Sequence, residues 1–284
     1  MVSGEQDAVA GLRLVILAGN GGKAQGRLAQ RFAVSHACLA PLAGRSLIGH
    51  VLHVAASHPR VVSLAVSIER AAFEAIYDEL THLPGRGTVQ LVEARDNLAD
   101  SVRDAVRGWN GPVIVTTADT PLLTAASIDA VAQALTTADA VAALVRRKAV
   151  DAVHPRASGP GHILADGAFV PCNLYGLTGP AGLRAVDLFR RGPLGRSALA
   201  RVRALGLLNL VLARAGLLDV QALTDRLAAR LGARLRAVIL DDGTQAIDVH
   251  DDRSYAIAGD CLAARSAAPV IAISVAVPLR RAVG

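Results

Sequence analysis

The stretch Pro112-Val-Ile-Val-Thr-Thr-Ala-Asp-Thr-Pro-Leu-Leu123 decides how the rest of the chain is read. From Pro112 to Ala118 it carries no charge, and the first charged side chain is Asp119. A continuous apolar run, without polar alternation, suits a strand buried on both faces, which is the situation of a parallel sheet covered by helices. Asp119 then falls at the carboxyl end of that strand, where open α/β sheets bind their ligands. The competing reading is a turn or helix-capping aspartate before Pro121.

Working outward, the same pattern recurs. Leu12–Leu17, Val61–Ile68, Thr88–Val92 and Ala138–Val145 read as further strands. Leu47–Ala56, Ala71–Leu80, Leu98–Val106 (N-capped by Asn97) and Ala125–Leu135 read as helices between them. Alternating strands and helices predict an α/β fold with a doubly wound, mostly parallel sheet. Between Asn20 and Gly44 the pattern is irregular.

Beyond Gly159 the character changes. Gly159–Thr178 reads as a hairpin turning at Asp166-Gly167, and Ala181–Arg190 as a helix. Ser197–Leu231 is leucine-rich and helical, so that a helical insertion occupies 181–231 of the C-terminal half. Leu235–Leu240 and Ala246–Val249 read as strands, Asp252–Ala264 as a last helix, and the apolar tail Pro269–Val277 as an edge strand able to pair across an oligomer interface. The expected organisation is one domain over 1–284, with a core at 12–178 that residues 234–264 rejoin.

Composition narrows the class of function. Of 284 residues, 52% are hydrophobic and 19% charged, a balance that supports a sizeable core and argues against disorder. Lys+Arg exceeds Asp+Glu by 30 − 24 = 6, yet only Lys23 and Lys148 are lysines. Aromatics are 3%, and no basic run is interleaved with them, which argues against nucleic-acid binding. No apolar stretch is long enough to span a membrane, and no signal peptide is visible. Cys38, Cys172 and Cys261 are too few and too scattered for a disulfide framework, so the expectation is a cytoplasmic protein.

Three segments carry candidate chemistry. Leu17-Ala18-Gly19-Asn20-Gly21-Gly22-Lys23 follows the first strand, and glycines there let backbone N–H groups approach a phosphate while Lys23 adds a cation. The same residues fit G-x-G-x-x-A at Gly19, Gly21 and Ala24. A nicotinamide or flavin enzyme fits less well, because no helix opens at once and the acid Glu69 stands too far along. Asp119 is the second segment. The third is Ile247-Asp248-Val249-His250-Asp251-Asp252, where an acid offers a second Mg²⁺ ligand and its neighbours a helix cap. His36-Ala37-Cys38 has no second ligand pair, which makes a zinc site a poor reading. Neither a G-x-S-x-G elbow nor a Walker sequence is present.

Together, the L-A-G loop after the first strand, Pro41-Leu-Ala-Gly-Arg-Ser-Leu-Ile48, T-A-D-T-P-L-L around Asp119 and the closing I-D-V-x-D element resemble the molybdenum-cofactor guanylyltransferase-like (MobA-like) nucleotidyltransferases. The resemblance spans roughly residues 12–178 and 234–264. It implies the GT-A fold shared with sugar-phosphate nucleotidylyltransferases. It also implies transfer of a nucleoside monophosphate from an NTP to a phosphate or hydroxyl of a small acceptor, with release of pyrophosphate. Carried onto this sequence, Leu17 to Lys23 would wrap the triphosphate, Asn97 and Ser101 would contact the base, and Asp119 with Asp248 would hold Mg²⁺. Lys23 and Asp119 would be the catalytic pair.

This chain departs from the family pattern at four places. Asn20 replaces a glycine, Ala24 stands where relatives carry arginine, Ala37 where they carry lysine, and His250 where they carry a second acid. A non-catalytic binding relative of the same fold is therefore the alternative.

Overall fold

A computed structural model describes residues 11–20, 26–85, 87–157, 161–189 and 206–267. The strands are β1 Leu12–Leu17, β2 Pro41–Leu42, β3 Arg45–Ser46, β4 Val61–Ile68, β5 Thr88–Glu93, β6 Val113–Thr117, β7 Ala140–Arg146, β8 His162–Leu164, β9 Gly167–Leu177 and β10 Leu235–Leu240. The helices are α1 Arg27–Arg31, α2 Leu47–Ser57, α3 Phe73–Thr81, α4 Leu98–Ala105, α5 Ala125–Ala134, α6 Arg147–Val153, α7 Gly179–Ala185, α8 Leu207–Arg214, α9 Val220–Leu231 and α10 Asp252–Ala267.

The main sheet runs β10-β7-β9-β6-β1-β4-β5, with β8 paired to β9. Its β6-β1-β4-β5 half is parallel throughout. Strand β9 runs antiparallel between β6 and β7, and β10 returns parallel to β7. The fold is thus the mixed, mostly parallel α/β sheet that the strand–helix alternation predicts.

Period-two alternation explains how the sheet buries itself. Leu12, Leu14 and Ile16 of β1 enter one apolar cluster with Leu47, Val51 and Leu52 of α2. Val15 enters a second cluster with Ala65, Val115 and the α4 residues Ala99, Val102 and Ala105. Each fully buried Leu or Ile contributes about 1.5–3 kcal/mol. Helix starts are capped as their sequences suggest. Ser46 accepts from the Gly49 N–H, Asn97 from Asp100 and Thr124 from Ser127, and each cap stabilises by about 1 kcal/mol.

The structure corrects several local expectations. The irregular segment 20–44 contains α1, a 3₁₀ turn at Ala37–Leu39 and strand β2 of the small antiparallel ribbon that β2 forms with β3. Helix α6, directly after β7, has no clear periodic signal, being seven residues with one arginine and one lysine at its start. The helix expected at Ala181–Arg190 is α7 followed by a 3₁₀ turn at Val186–Phe189. The strand expected at Ala246–Val249 is not formed. Asp242 instead caps a 3₁₀ turn over Gly243–Ala246 through the Thr244 N–H, and that curvature prevents extension into a ladder. Of the leucine-rich insertion, α8 and α9 are described. The loop residues Gly21, Gly22 and Lys23, and the tail Pro269–Val277, lie outside the described residues.

Candidate functional site

Parallel pairing brings the ends of β1, β4 and β6 to one edge. Backbone bonds continue past the strands: Ala18 N–H to Ser67 C=O (2.8 Å), Ala118 N–H to Leu17 C=O (3.0 Å) and Ala94 N–H to Ile68 C=O (2.9 Å). Gly19, Glu69, Ala94 and Asp119 are therefore neighbours on the carboxyl edge although they span a hundred residues of sequence.

Asp119 is partly buried in a turn built by threonines. The Thr117 hydroxyl donates to its Oδ1, and the Thr120 hydroxyl donates to the Thr117 carbonyl at 2.8 Å. The Val249 N–H donates to the Asp119 carbonyl at 2.8 Å, which lays the Ile247–His250 segment across this edge. Gln245, itself buried, fastens that segment from behind. Its Nε2 donates to Leu122 C=O (2.7 Å), and its Oε1 accepts from Ser127 Oγ (2.7 Å).

The electrostatics follow from this packing. Burial first, and the neighbouring Asp248 carboxylate second, push Asp119 up to about 6, against the opposing pull of the Thr117 hydroxyl and of His250. A buried carboxyl group facing a second carboxylate is the kind of arrangement that a bound cation relieves. His250 is largely exposed, with Nδ1 3.7 Å from Asp248 Oδ1 and Nε2 3.8 Å from Asp251 Oδ2. Asp251 caps α10 through the Ser254 N–H at 2.8 Å, and that hydrogen bond holds it below the usual carboxylate range. Among the described residues no cluster of three or more His, Cys, Asp or Glu has metal-binding geometry. Asp119 and Asp248 are the two carboxylates that this edge offers a cation. That set fits Mg²⁺, which usually takes one or two carboxylates and completes its shell with water and substrate phosphates.

Gly19 sits where a side chain has no room. A Cβ there would lie 2.9 Å from the Ala94 Cβ and 3.2 Å from both Glu69 carboxylate oxygens. We expect Gly19→Ala to displace the loop start by a few tenths of an ångström and, if the family resemblance holds for this loop, to weaken nucleotide binding about tenfold. It should cost about 1–2 kcal/mol of stability, an overpacking effect. Titration calorimetry and urea unfolding read both, and an unchanged affinity would show that the loop start is not part of the site.

Asn97 and Ser101 stand at the start of α4, but both are engaged locally. Asn97 caps the helix and donates to Asp100 Oδ2 at 2.7 Å, while the buried Ser101 Oγ accepts the Arg95 N–H at 2.9 Å. Ala37 begins the 3₁₀ turn beside the site, where the Cys38 thiol faces the Ala18 carbonyl at 3.8 Å. Burial, with Asp119 adding to it, pushes that thiol up to about 12.

Three residues near this edge carry no signal of this site in the sequence. Glu69 and His36 are joined at 2.9 Å under the first loop. In the sequence each points only to a different chemistry, Glu69 to an oxidoreductase acid and His36 to a zinc ligand. Asn173 adopts φ 49° where β9 passes the end of β6, in an irregular stretch of the β7–β9 ladder. A lone asparagine inside a strand-like run carries no sequence signal, yet a left-handed non-glycine residue beside a carboxyl edge is a recurrent functional feature.

Residues 14–220 match the MobA-like NTP transferase domain family. Among solved structures the chain is similar to a hypothetical transferase from Thermus thermophilus, at 24% identity and a TM-score of 0.70, covering 87% of this chain and 99% of that one. It is also similar to 4-diphosphocytidyl-2C-methyl-D-erythritol synthase from Anaerococcus prevotii, at 11% identity and TM-score 0.56 over 90% of this chain and 97% of that one. A third similar structure is CMP:2-keto-3-deoxy-manno-octonic acid synthetase complexed with CTP, at 12% identity and TM-score 0.54 over 90% and 100%. At these identities the likeness speaks for the fold. No curated protein matches the chain.

Proposed function

This chain belongs to the MobA-like NTP transferase family, and from that premise we propose that it transfers a nucleoside monophosphate from an NTP to a small-molecule acceptor bearing a phosphate or hydroxyl. The observation that carries the reading is the Val249–Asp119 backbone bond, which brings the Asp248 segment to Asp119 on the sheet edge where the first loop begins. An acceptor phosphate oxygen, or a hydroxyl oxygen that releases its proton to solvent, attacks the α-phosphorus, the α–β phosphoanhydride bond breaks, and pyrophosphate leaves. Asp119 and Asp248 would hold Mg²⁺, which neutralises charge on the triphosphate when bound. Backbone amides of Leu17 to Gly22 would cradle the phosphates, and Lys23 would face the developing charge. Asn97 and Ser101 would contact the base only by exchanging the local bonds that they now make. The acceptor would lie on the β9 side of Asp119, over the hairpin and near Asn173. The three free cysteines support a reducing, cytoplasmic setting, and no helix among the described residues is long and apolar enough to cross a membrane.

A thermal-shift panel of ATP, CTP, GTP and UTP, each with and without Mg²⁺, tests the proposal. A ligand at about 100 times its dissociation constant stabilises by roughly 2.7 kcal/mol. One NTP should shift the transition only with Mg²⁺ present. No shift with any of the four, while NAD or NADP gives one, would overturn the reading.

A second reading has its own support. Ala37 occupies the position at which relatives carry a lysine, and it packs partly against the core. On that reading the chain binds nucleotide without turning it over. Two substitutions separate the readings. Lys23→Ala should lower turnover by two or more orders of magnitude, because one preorganised charge partner is worth about 2.7–4 kcal/mol. Ala37→Lys should raise activity if the native site lacks a cation. Full native activity that is indifferent to Lys23 would overturn this account of phosphate neutralisation. Arg27 would then come next, because Arg31 is committed to Asp252 at 2.6 Å.

A further inference from the structure

Glu69 follows β4 directly and lies beneath the start of the first loop. Its Oε1 accepts the Asn20 N–H at 2.7 Å, and its Oε2 lies 2.9 Å from His36 Nε2. The His36 ring is buried, with Nδ1 3.1 Å from Ser35 Oγ. One carboxylate thus joins two segments that are distant in sequence. One is the loop leaving β1; the other is the turn that carries Ala37. The missing side chain of Gly19 is what lets the carboxylate approach so closely. A negative charge beside a loop meant to receive a triphosphate opposes anion binding by simple electrostatics. Its placement therefore calls for a compensating role, and the two hydrogen bonds supply one.

We infer that Glu69 is a positioning residue for the nucleotide. It pins the Asn20 amide and His36 together, so that the start of the first loop, as far as Asn20, and the Ala37 turn meet the ligand as one preformed wall. This rests on the nucleotidyl-transfer reading. Preformation matters because a loop already fixed does not lose conformational freedom on binding. His36 shares the role: its buried ring gives the second carboxylate oxygen a fixed partner, so the carboxylate cannot swing toward the phosphates.

The test compares the full chain with Glu69→Ala, Glu69→Gln and His36→Ala. One arm needs no ligand: amide exchange at Asn20, followed by NMR. The other measures the affinity for whichever of Mg·ATP, Mg·CTP, Mg·GTP or Mg·UTP the native protein binds most tightly. Glu69→Ala should speed Asn20 exchange at least tenfold and weaken nucleotide binding at least tenfold, with the unfolding transition still cooperative. Glu69→Gln keeps an acceptor for Asn20 and offers an N–H to His36, so it should restore affinity to within about threefold of native. A purely structural contact would not show that rescue together with an exchange effect local to Asn20. His36→Ala should fall between the two. Unchanged Asn20 exchange in Glu69→Ala overturns the clamp. So does a freed Asn20 amide with native affinity. If the native protein binds none of the four nucleotides, the functional reading falls and the positioning role falls with it. Native binding that is indifferent to Glu69 removes the clamp alone.

Discussion

Asp119→Asn is expected to abolish Mg²⁺-dependent nucleotidyl transfer, by at least three orders of magnitude, and at the same time to make the metal-free protein more stable. The two effects share one cause. In the folded chain, burial and the Asp248 carboxylate raise Asp119 to about 6, against about 3.9 for a free aspartate. A carboxyl whose folded pKa lies above its unfolded value is penalised when charged. The penalty is fully present above about pH 6, shrinks as pH falls, and vanishes below about pH 4, where both states hold the proton. A shift of that size corresponds to about 3 kcal/mol at most, and solvent contact at a partly exposed site reduces it to about 1–2 kcal/mol. The asparagine is isosteric, and its Oδ1 still accepts the Thr117 hydroxyl. Metal-free Asp119→Asn should therefore exceed the native protein in stability at about pH 8 and match it at about pH 4. Adding Mg²⁺ and NTP should reverse the order, because only the native site has both carboxylates. Urea titrations at the two pH values, with and without Mg²⁺, measure all four terms. An Asp119→Asn variant that is destabilised at every pH, with nucleotide affinity intact, would reduce Asp119 to a turn residue.

The sheet was legible because its signal is local and repeated. β1, β4 and β6 are each largely apolar runs with glycine or an acid soon after, and both their existence and their parallel sense follow from the helices between them. Asp119 was legible for the same reason, being the first charge after such a run. The Asp248 segment was read as important but with the wrong local shape. Its path is set by tertiary bonds from Gln245 to Leu122 and Ser127 and from Val249 to Asp119, and none of these is encoded within the segment itself. Glu69 and His36 show the same limit. Each looks ordinary in sequence, and the pairing emerges only when β4 and the turn at Ala37–Leu39 are folded against β1. Asn97 presents the reverse case. Its capping signal was plain, and the cap is what it makes, so its side chain is less free for a base than the family pattern suggests.

Gly243→Ala is expected to be the most damaging single-methyl change among the glycines at this end of the molecule, costing about 3–5 kcal/mol. The reason is steric rather than conformational, since Gly243 is not among the residues with positive φ. A Cβ at this position would lie 2.1 Å from the Ala149 carbonyl oxygen, 2.5 Å from the Ala149 carbonyl carbon and 2.8 Å from the Val150 nitrogen. All three are backbone atoms of α6, so no side-chain rotation relieves the contact. The turn or the helix has to move by about an ångström, and close-packed interiors resist such shifts. Moving the turn also carries away Gln245, and each of its buried hydrogen bonds left unmade costs about 1–3 kcal/mol. Because Gln245 fastens the segment that presents Asp248, nucleotide binding with Mg²⁺ should weaken along with stability, whereas a purely core lesion would lower stability alone. Gly26→Ala serves as the control. No atom of the described residues lies within 4 Å of its added Cβ and its φ of −67° suits alanine, while alanine is a poorer N-cap than glycine, so stability should change by less than about 1 kcal/mol. Urea unfolding of the two variants decides the matter. A Gly243→Ala protein within about 1 kcal/mol of native would mean that the turn and α6 are less tightly apposed than these distances require. The account of how Asp248 reaches Asp119 would then have to be rebuilt from the Val249 bond alone.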